Sequence, residues 1–183
     1  MRLLKTINPE KVDESDISDW EYRQAARAVV FDKEGRIGLL NVKNHNYYKL
    51  PGGGIEKGED IKTALDRECE EELGVKIEVL KEIGSVIEYR KKWKVKQISY
   101  CFIAKTNSEK KASNFTDREK DDGFEPVWVE PKEALKLLSQ KLTTDYQGKF
   151  IEERDVCFLA NALDINGRAS GSVSPPKDFS LFY

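Results

Sequence analysis

The chain has 183 residues, of which 39% are hydrophobic and 35% charged, and its formal net charge is −2 at pH 7. This length suits one globular domain, and the composition is that of a polar chain with no apolar run long enough to span a bilayer. The small net charge disfavours a protein that coats nucleic acid over its whole surface.

The first third of the chain predicts three strands that lead into a glycine-rich segment. Residues 23–31 and 37–43 are rich in β-branched and apolar side chains and flank a turn at 32–35, which indicates two strands. A third strand at 47–51 ends at Pro51 and the glycines, because these residues interrupt a ladder. Residues 1–20 are predicted to be an N-terminal extension of the domain that follows.

Residues 60–73 predict an amphipathic helix. Apolar side chains recur at every fourth position of this segment, at Ile61, Leu65, Cys69 and Leu73. Such spacing places them in one stripe, and Gly74 follows as a suitable residue for ending the helix. The stripe is expected to attach the helix to a sheet.

The second half of the chain predicts more strands and two helices. Residues 75–90 and 94–106 alternate apolar and polar side chains, which indicates long antiparallel strands around a polar turn. A polar loop at 107–123 leads to a strand at 124–130 and to helices at 131–140 and 148–163. Residues 166–183 are rich in Gly, Ser and Pro and are predicted to be a mobile tail. The whole pattern favours a mixed sheet covered by helices.

Glycines and charged residues have a fixed spacing in LPGGGIEKGEDIKTALDRECEEELGV, residues 50–75. The fixed positions are Gly53, Glu59, Arg67, Glu68, Glu71, Glu72 and Gly74. This spacing resembles the signature of the Nudix hydrolase superfamily, and every fixed position of that signature is filled. Seven such identities would arise by chance about once in 10⁸ starting positions. Cys69 stands at an aliphatic position, where a small buried hydrophobe still packs.

Three carboxylates of the predicted helix are expected to form a metal site. At about 100° per residue, Glu68, Glu71 and Glu72 fall within one quadrant of the helix. Like charges this close repel unless a cation sits between them, and their hard oxygens suit Mg²⁺, with Mn²⁺ as a substitute. Arg67 can orient a carboxylate, and the glycines let the backbone approach, so a carbonyl near Gly53 is a further candidate ligand.

The resemblance also implies a fold, an activity and residue roles. The implied fold is α/β (α+β), a mixed sheet between helices in an α/β/α sandwich, over roughly residues 21–165. The implied reaction is hydrolysis of a nucleoside diphosphate linked to another group. The implied metal ligands are Glu68, Glu71, Glu72 and the backbone of Gly53, with Arg67 as the orienting partner and Glu59 as a supporting acid. The segment 53–75 that carries the signature is called the box below. The general base stays open between a box glutamate and Glu119 in the polar loop.

The residues around the box suggest how a substrate could be held. The candidate substrate-binding residues are Arg27, Tyr48, Gly52, Gly53 and Lys57. Arg27 is predicted to contact phosphate oxygens, whereas Tyr48 is weighed between a base contact and a core position. Arg23 and Lys49 are predicted to be ordinary surface charges, and His45 is predicted to have no catalytic part.

The substrate beyond the diphosphate is inferred by elimination. The subclass of the family that hydrolyses ADP-ribose carries a proline about fifteen residues after the signature. No proline occurs between Pro51 and Pro126, so the chain lacks this mark. The remaining resemblance is to enzymes that convert nucleoside triphosphates, including oxidised ones, to monophosphates and pyrophosphate. An alternative is hydrolysis of dinucleotide polyphosphates, for which Tyr89 lies near the expected position, or of RNA 5′ ends, which the basic segment RKKWKVK at 90–96 could receive.

A different class of function, and the setting of the protein, also stay open. The chain could be a nucleotide-binding regulator without turnover, although the complete acid cluster favours an enzyme. A small nucleotide ranks ahead of RNA as the partner, no membrane contact is expected, and a homodimer is weighed against a monomer because long strands can pair between subunits. The absence of a secretory signal and the three scattered, core-like cysteines predict a cytoplasmic protein.

Overall fold

The computed structural model describes residues 1–170, with side chains described through residue 165. The strands are β1 (Leu3–Ile7), β2 (Glu21–Phe31), β3 (Ile37–Val42), β4 (Tyr47–Lys49), β5 (Ile77–Arg90), β6 (Val95–Thr106) and β7 (Phe124–Val129). The helices are α1 (Ile61–Leu73), α2 (Asp117–Asp121), α3 (Pro131–Leu138) and α4 (Tyr146–Ser170).

The seven strands form one mixed sheet in the order β1-β5-β6-β2-β3-β4, with β7 also paired to β3. The β1/β5 and β2/β6 pairs are parallel, and the other pairs are antiparallel. One face packs on α1 through Leu65, Cys69 and Leu73, and the other packs on α3 and α4. The predicted α/β/α sandwich with a mixed sheet is confirmed.

Helix α1 begins and ends as its sequence predicts. The carboxylate of Asp60 accepts a hydrogen bond from Thr63 N at 2.8 Å, which satisfies one of the free amides of the first turn. At the other end Gly74 has φ = 66°, and its N–H donates to Glu70 O. Glycine adopts this left-handed conformation more readily than any other residue. The box helix is therefore fixed at both ends by residues close to it in sequence.

Three predicted segments differ from the structure. The polar loop 107–123 contains α2, because Thr116 and Glu119 form a reciprocal capping box that starts a short helix. The N-terminal extension contains β1, which adds a parallel strand beside β5. The last helix begins at Tyr146 and its backbone continues to Ser170, past the predicted boundary at 165. The rest of the predicted tail, residues 171–183, lies outside the described residues.

The two longest strands lie in the interior of this sheet, although β1 pairs only with Ser85–Glu88 of β5. Strand β5 pairs with both β1 and β6, and β6 pairs with both β5 and β2. The homodimer that was weighed from these long strands stays a prediction, because part of the outer edge of β5 is open to pairing.

The cysteines occupy core positions. Cys69 and Cys101 are buried, Cys157 is half-buried, and all three are free thiols. Burial raises the pKa of the Cys69 thiol, which makes it a poor nucleophile. Within residues 1–170, no helix has both the length and the apolar character needed to cross a bilayer.

The turn between β2 and β3 contains an acid whose contribution to stability depends on pH. The buried Asp32 carboxylate accepts hydrogen bonds from Arg36 N at 2.8 Å and from Lys110 Nζ at 2.8 Å. Burial acts to raise the pKa of Asp32, but these bonds outweigh it and hold the pKa at about 2. A depressed folded-state pKa stabilises the fold above the unfolded-state value, and the gain is lost as pH falls towards 2.

We expect Asp32→Asn to lower the free energy of unfolding by about 2 kcal/mol at pH 7. The difference in the free energy of unfolding between this variant and the wild type should shrink as the pH falls from 5 to 2. Urea denaturation at several pH values can measure it. Asp117→Asn is the control, because Asp117 is fully exposed where it pairs with Lys120, and such pairs contribute little. A pH-independent loss in Asp32→Asn would contradict the assigned role of its charge.

Candidate active site

Arg67 joins three acids at the centre of the box. Its Nε lies 3.0 Å from Glu59 Oε1, and its Nη1 lies 2.8 Å from Glu68 Oε1 and 3.2 Å from Glu71 Oε2. Its Nη2 also donates to Gly54 O at 3.2 Å. The hydrogen bond to Glu59 raises the pKa of Arg67 and lowers the pKa of Glu59. This geometry agrees with the predicted orienting role of Arg67, since one planar guanidinium fixes several carboxylates.

Glu72 is buried beneath the glycine loop. It is 1% exposed; its Oε1 lies 2.6 Å from Lys49 Nζ, and its Oε2 accepts from Gly52 N at 2.7 Å. Burial raises the pKa of Glu72, and the charge of Lys49 opposes that rise. Lys49 was predicted to be a surface charge, and that prediction is wrong. It lies on β4 opposite α1, where its ammonium is the counter-charge of a buried acid.

The glycine loop lies between β2 and the acids. Ala28 N donates to Pro51 O at 3.1 Å and Ala26 N donates to Gly53 O at 3.0 Å, so these two carbonyls are bonded to β2. The Gly53 carbonyl, predicted as a metal ligand, therefore already accepts one hydrogen bond. Gly52 has φ = 128°, a conformation that side chains rarely adopt.

Alanine should affect stability at one loop glycine and activity at the other. A Cβ on Gly52 would lie 2.1 Å from Ala26 O, a backbone atom, whereas a Cβ on Gly53 would lie 2.0 Å from Glu68 Oε1, the end of a flexible side chain. We expect Gly52→Ala to destabilise the fold by about 1–3 kcal/mol or more. Gly53→Ala should leave the melting temperature nearly unchanged but lower kcat by about tenfold or more, because it displaces Glu68.

Thermal denaturation and steady-state kinetics on both variants check this contrast. Gly35→Ala serves as a control for positive φ without crowding, because a Cβ there meets nothing within 4 Å. Equal losses of stability in Gly52→Ala and Gly53→Ala would contradict the claim that a Cβ meets rigid backbone at one position and a movable side chain at the other.

The three box acids differ in their exposure. The side chain of Glu71 is 40% exposed, that of Glu68 is 12% exposed, and that of Glu72 is 1% exposed. Glu71 and Arg67 face a cavity of about 480 Å³, whose other wall includes Lys111 and Asn114. Asn114 N donates to Glu71 O at 2.7 Å, so this wall is attached to α1. Of the three acids, Glu71 is the most accessible from solvent.

The donor set fits a divalent cation in charge and chemistry. The acids grouped here are Glu59, Glu68, Glu71 and Glu72, and the cations paired with them are Arg67 and Lys49. The excess of carboxylate oxygens suits Mg²⁺ or Mn²⁺. Among the residues described, no three acid, histidine or cysteine side chains converge closely enough to hold a metal. A bound ion would therefore compete with Arg67 for the oxygens of Glu68 and Glu71.

The other predicted site residues differ in their surroundings. Arg27 is buried on the sheet face that carries α4, and the charges that act on it are those of Arg154 and Asp155 and also those of Glu72 and Glu68 of the acid group. Burial lowers the pKa of Arg27. Tyr48 packs in the core cluster on the same α3/α4 face, and Lys57 is exposed on the loop before α1. Their substrate contacts stay predictions.

Glu119 has a local structural partner. Its carboxylate accepts from Thr116 N at 2.8 Å and from Thr116 Oγ1 at 2.9 Å, which caps α2. Its role as general base stays a prediction. His45 Nε2 lies 2.8 Å from Asp122 Oδ1, and it belongs to the packing between the β3–β4 turn and α2.

The structure combines a mixed sheet between helices with clustered acids on the helix below a glycine loop. A model of the NUDIX domain matches residues 21–153. The chain therefore belongs to the Nudix family of hydrolases.

Relatives and solved structures agree with this assignment. The chain is 37% identical over 70 residues to an RNA pyrophosphohydrolase of Pelagibacter ubique, covering 37% of this chain and 44% of that protein. It is 40% identical over 79 residues to an RNA pyrophosphohydrolase of Dinoroseobacter shibae, covering 40% of this chain and 49% of that protein. The matched region thus spans about half the length of these two relatives.

The fold resembles the crystal structure of a MutT NUDIX hydrolase from Burkholderia pseudomallei. The TM-score is 0.53 at 24% sequence identity, over 73% of this chain and 98% of that chain. At this identity the likeness concerns the fold alone.

Proposed function

We propose that this Nudix hydrolase removes pyrophosphate from a 5′-triphosphate end in a Mg²⁺-dependent reaction. The observation that carries this proposal is the excess of carboxylates at α1 beside a cavity of about 480 Å³. Lys111 on the opposite wall supplies positive charge for phosphate oxygens.

The residues of the chain have distinct roles in this proposal. Glu68 and Glu71 are the accessible ligands for Mg²⁺, and Glu72 is a ligand or the buried support of the glycine loop. When bound, the ion neutralises charge that develops on the diphosphate oxygens. Arg67 holds the acids in place, and Glu71, as the most exposed acid, accepts the proton of the attacking water. The water oxygen then forms a bond to phosphorus as the P–O bond to the leaving pyrophosphate breaks.

RNA and free nucleotides are both candidate carriers of the triphosphate. We rank RNA first, because the two relatives above are named RNA pyrophosphohydrolases. Free nucleoside triphosphates, which the sequence placed first, share the same reacting group and rank second. Dinucleotide polyphosphates rank third, since Tyr89 is a buried residue bonded to Glu14 and not an open contact for a ligand.

The β5–β6 hairpin at 90–96 is a candidate contact for RNA. Trp93 is 42% exposed there, and Lys91 and Lys92 are exposed beside it. Lys94 is paired with Asp19 at 2.6 Å, so part of the basic charge is already balanced by the N-terminal segment. Such exposed pairs are weak, and a phosphate chain could replace them.

A substrate panel tests the proposal. Pyrophosphate release should be measured from a 5′-triphosphorylated RNA oligonucleotide and from nucleoside triphosphates, with Mg²⁺, with Mn²⁺ and with EDTA. ADP-ribose and a dinucleotide tetraphosphate are followed under the same conditions by chromatography of their nucleotide products, because their hydrolysis releases no pyrophosphate. We expect turnover of triphosphate ends that EDTA abolishes and that added Mg²⁺ restores. Tight binding of nucleotides without turnover across the panel would instead support the nucleotide-binding regulator.

The hairpin variants separate the two leading substrates. Lys91→Ala/Lys92→Ala should lower kcat/KM for RNA by about tenfold and change it less than twofold for a free triphosphate, because only RNA is long enough to reach from the cavity near the start of β5 to the hairpin at its end. Lys132→Ala/Lys136→Ala on α3 is a control for general loss of positive charge. Equal effects of the hairpin variant on both substrates would remove the hairpin from RNA binding.

A further inference from the structure

We propose that Asp155 of α4 is a positioning residue for the reaction, because it holds the start of the glycine loop in register with the acids of α1. The expected effect on the reaction rests on the proposed function. The contact itself concerns a helix that lies about a hundred positions after the loop in the sequence, on the opposite face of the sheet from α1.

The Asp155 carboxylate is fixed on two sides. Its Oδ2 accepts from Leu50 N at 2.8 Å, and its Oδ1 accepts from Arg154 Nε at 2.7 Å. Asp155, Arg154 and Leu50 are each 0% exposed. Hydrogen bonds to a charged acceptor are stronger than neutral ones, and more so away from water. The amide of Leu50 therefore donates to an acceptor whose orientation is fixed.

Three attachments within four residues connect the loop to both helices. Lys49 Nζ and Gly52 N bind the two oxygens of Glu72 on α1, and Leu50 N binds Asp155 on α4. The next residue of the loop, Gly53, lies directly against the Glu68 carboxylate. A shift of the chain at Leu50 would consequently move the backbone that sets the positions of Glu68 and Glu72.

The buried charges behind Asp155 argue for positioning more than for stability. Arg154 Nη1 lies 3.6 Å from Glu88 Oε2, and Glu88 Oε1 lies 2.8 Å from Arg90 Nη2. Within the described residues, neither terminal nitrogen of Arg154 has a hydrogen-bond partner. Buried ion pairs with incomplete bonding contribute little net stability compared with apolar packing. What this pair does provide is a fixed orientation for the acceptor of Leu50 N.

Two neutral double variants isolate that acceptor. Arg154→Met/Asp155→Asn keeps a side-chain oxygen for Leu50 N, whereas Arg154→Met/Asp155→Leu removes it, and neither retains the buried ion pair. We expect the Asn variant to stay within about threefold of the wild type in kcat and in Mn²⁺ affinity. The Leu variant should lose roughly 10–100-fold in both, as is usual when support for a metal site is removed, with a smaller change in KM.

A control on the same helix distinguishes positioning from general destabilisation. Glu152 is also buried, and its carboxylate accepts backbone hydrogen bonds from Thr143 and Leu142 instead of from the loop. Glu152→Gln should lower the melting temperature and leave kcat and the Mn²⁺ dissociation constant within about twofold of the wild type. Mn²⁺ binding is measured by electron paramagnetic resonance titration, which requires no turnover and so remains informative if the proposed substrate is wrong.

Hydrogen exchange on the wild-type protein tests the same contact without any variant. The Leu50 amide should exchange as slowly as the amides of the central strands β2 and β6, because its bond to Asp155 opens only when α4 separates from the sheet. Exchange of Leu50 at the rate of an exposed loop would overturn the proposal. Equal Mn²⁺ affinity and equal kcat in the Asn and Leu variants would also overturn it.

Discussion

Glu71→Gln is expected to lower kcat by roughly 10²–10⁴-fold, the range for loss of a positioned acid or base, while the protein stays folded. Glu71 is the box acid with the most exposed side chain, at 40%, and its Oε2 lies 3.2 Å from Arg67 Nη1 of the same helix. It can therefore meet both a metal ion and a water molecule without disturbing the core. Glutamine has the same shape but can neither accept the proton nor supply the negative charge.

Steady-state kinetics and Mn²⁺ titration on the same preparation check this expectation. Asp66→Asn is the matched control, because Asp66 is an acid of the same helix that pairs with Lys62 outside the acid group. It should keep kcat within about twofold and stability within about 1 kcal/mol. If Glu71→Gln retained wild-type turnover, the role of Glu71 as ligand and proton acceptor would have to pass to another residue, with Glu119 as the first candidate.

The box itself could be interpreted from sequence because its information is local. Helix α1 is defined by apolar residues at every fourth position, by a capping acid and by a terminal glycine, and the same helix carries the acids. Once the stripe of Leu65, Cys69 and Leu73 packs on the sheet, the direction of Glu68 and Glu71 follows from helix geometry. The contact of Arg67 with both acids is likewise a contact within one turn.

The burial of charged residues could not be predicted in the same way. Lys49 and Arg27 lie in strands with both apolar and polar residues. This pattern does not show which side chain of another element packs against each residue. Lys49 is buried because Glu72 lies across from it, and Arg27 is buried because α4 covers that face of the sheet. Asp155 has no signal in its own neighbourhood that connects it to Leu50. Such long-range pairings depend on the assembled sheet.

Two missed elements had different causes. The segment Thr116–Glu119 contains the capping-box pattern that started α2, so a local signal was present within the polar loop. Strand β1 is short and partly exposed, and it exists because β5 offers an edge for parallel pairing. The first element was open to local reasoning, whereas the second required knowledge of the neighbouring strand.

Lys49→Met is expected to lower the free energy of unfolding by about 3–5 kcal/mol at pH 8, the usual cost of leaving one member of a buried ion pair without its partner. The Lys49 and Glu72 side chains are 9% and 1% exposed, and their charged atoms are 2.6 Å apart. Methionine fills the volume of the lysine stem but leaves Glu72 with the amide of Gly52 as its remaining donor. Urea denaturation measures the loss.

The destabilisation should depend on pH in a defined direction. Burial already raises the pKa of Glu72, and Lys49 opposes this rise, so removal of Lys49 raises the folded-state pKa further. An acid whose pKa is higher in the folded state than in the unfolded state costs more stability as pH increases between the two values. The variant should therefore approach the wild type towards pH 5 and fall furthest below it above the raised pKa.

A second substitution separates the charge from the shape of this pair. Lys49→Met/Glu72→Gln should recover most of the lost stability at pH 8 and abolish its pH dependence, because no buried charge remains. Lys43→Met is the exposed control: Lys43 pairs with Glu125 at 2.8 Å, but these side chains are 54% and 49% exposed, so its cost should be below about 1 kcal/mol. If the double variant is stable yet inactive, the Lys49–Glu72 pair is needed for activity as well as for stability; if it is stable and active, neither charge of the pair is needed for the reaction.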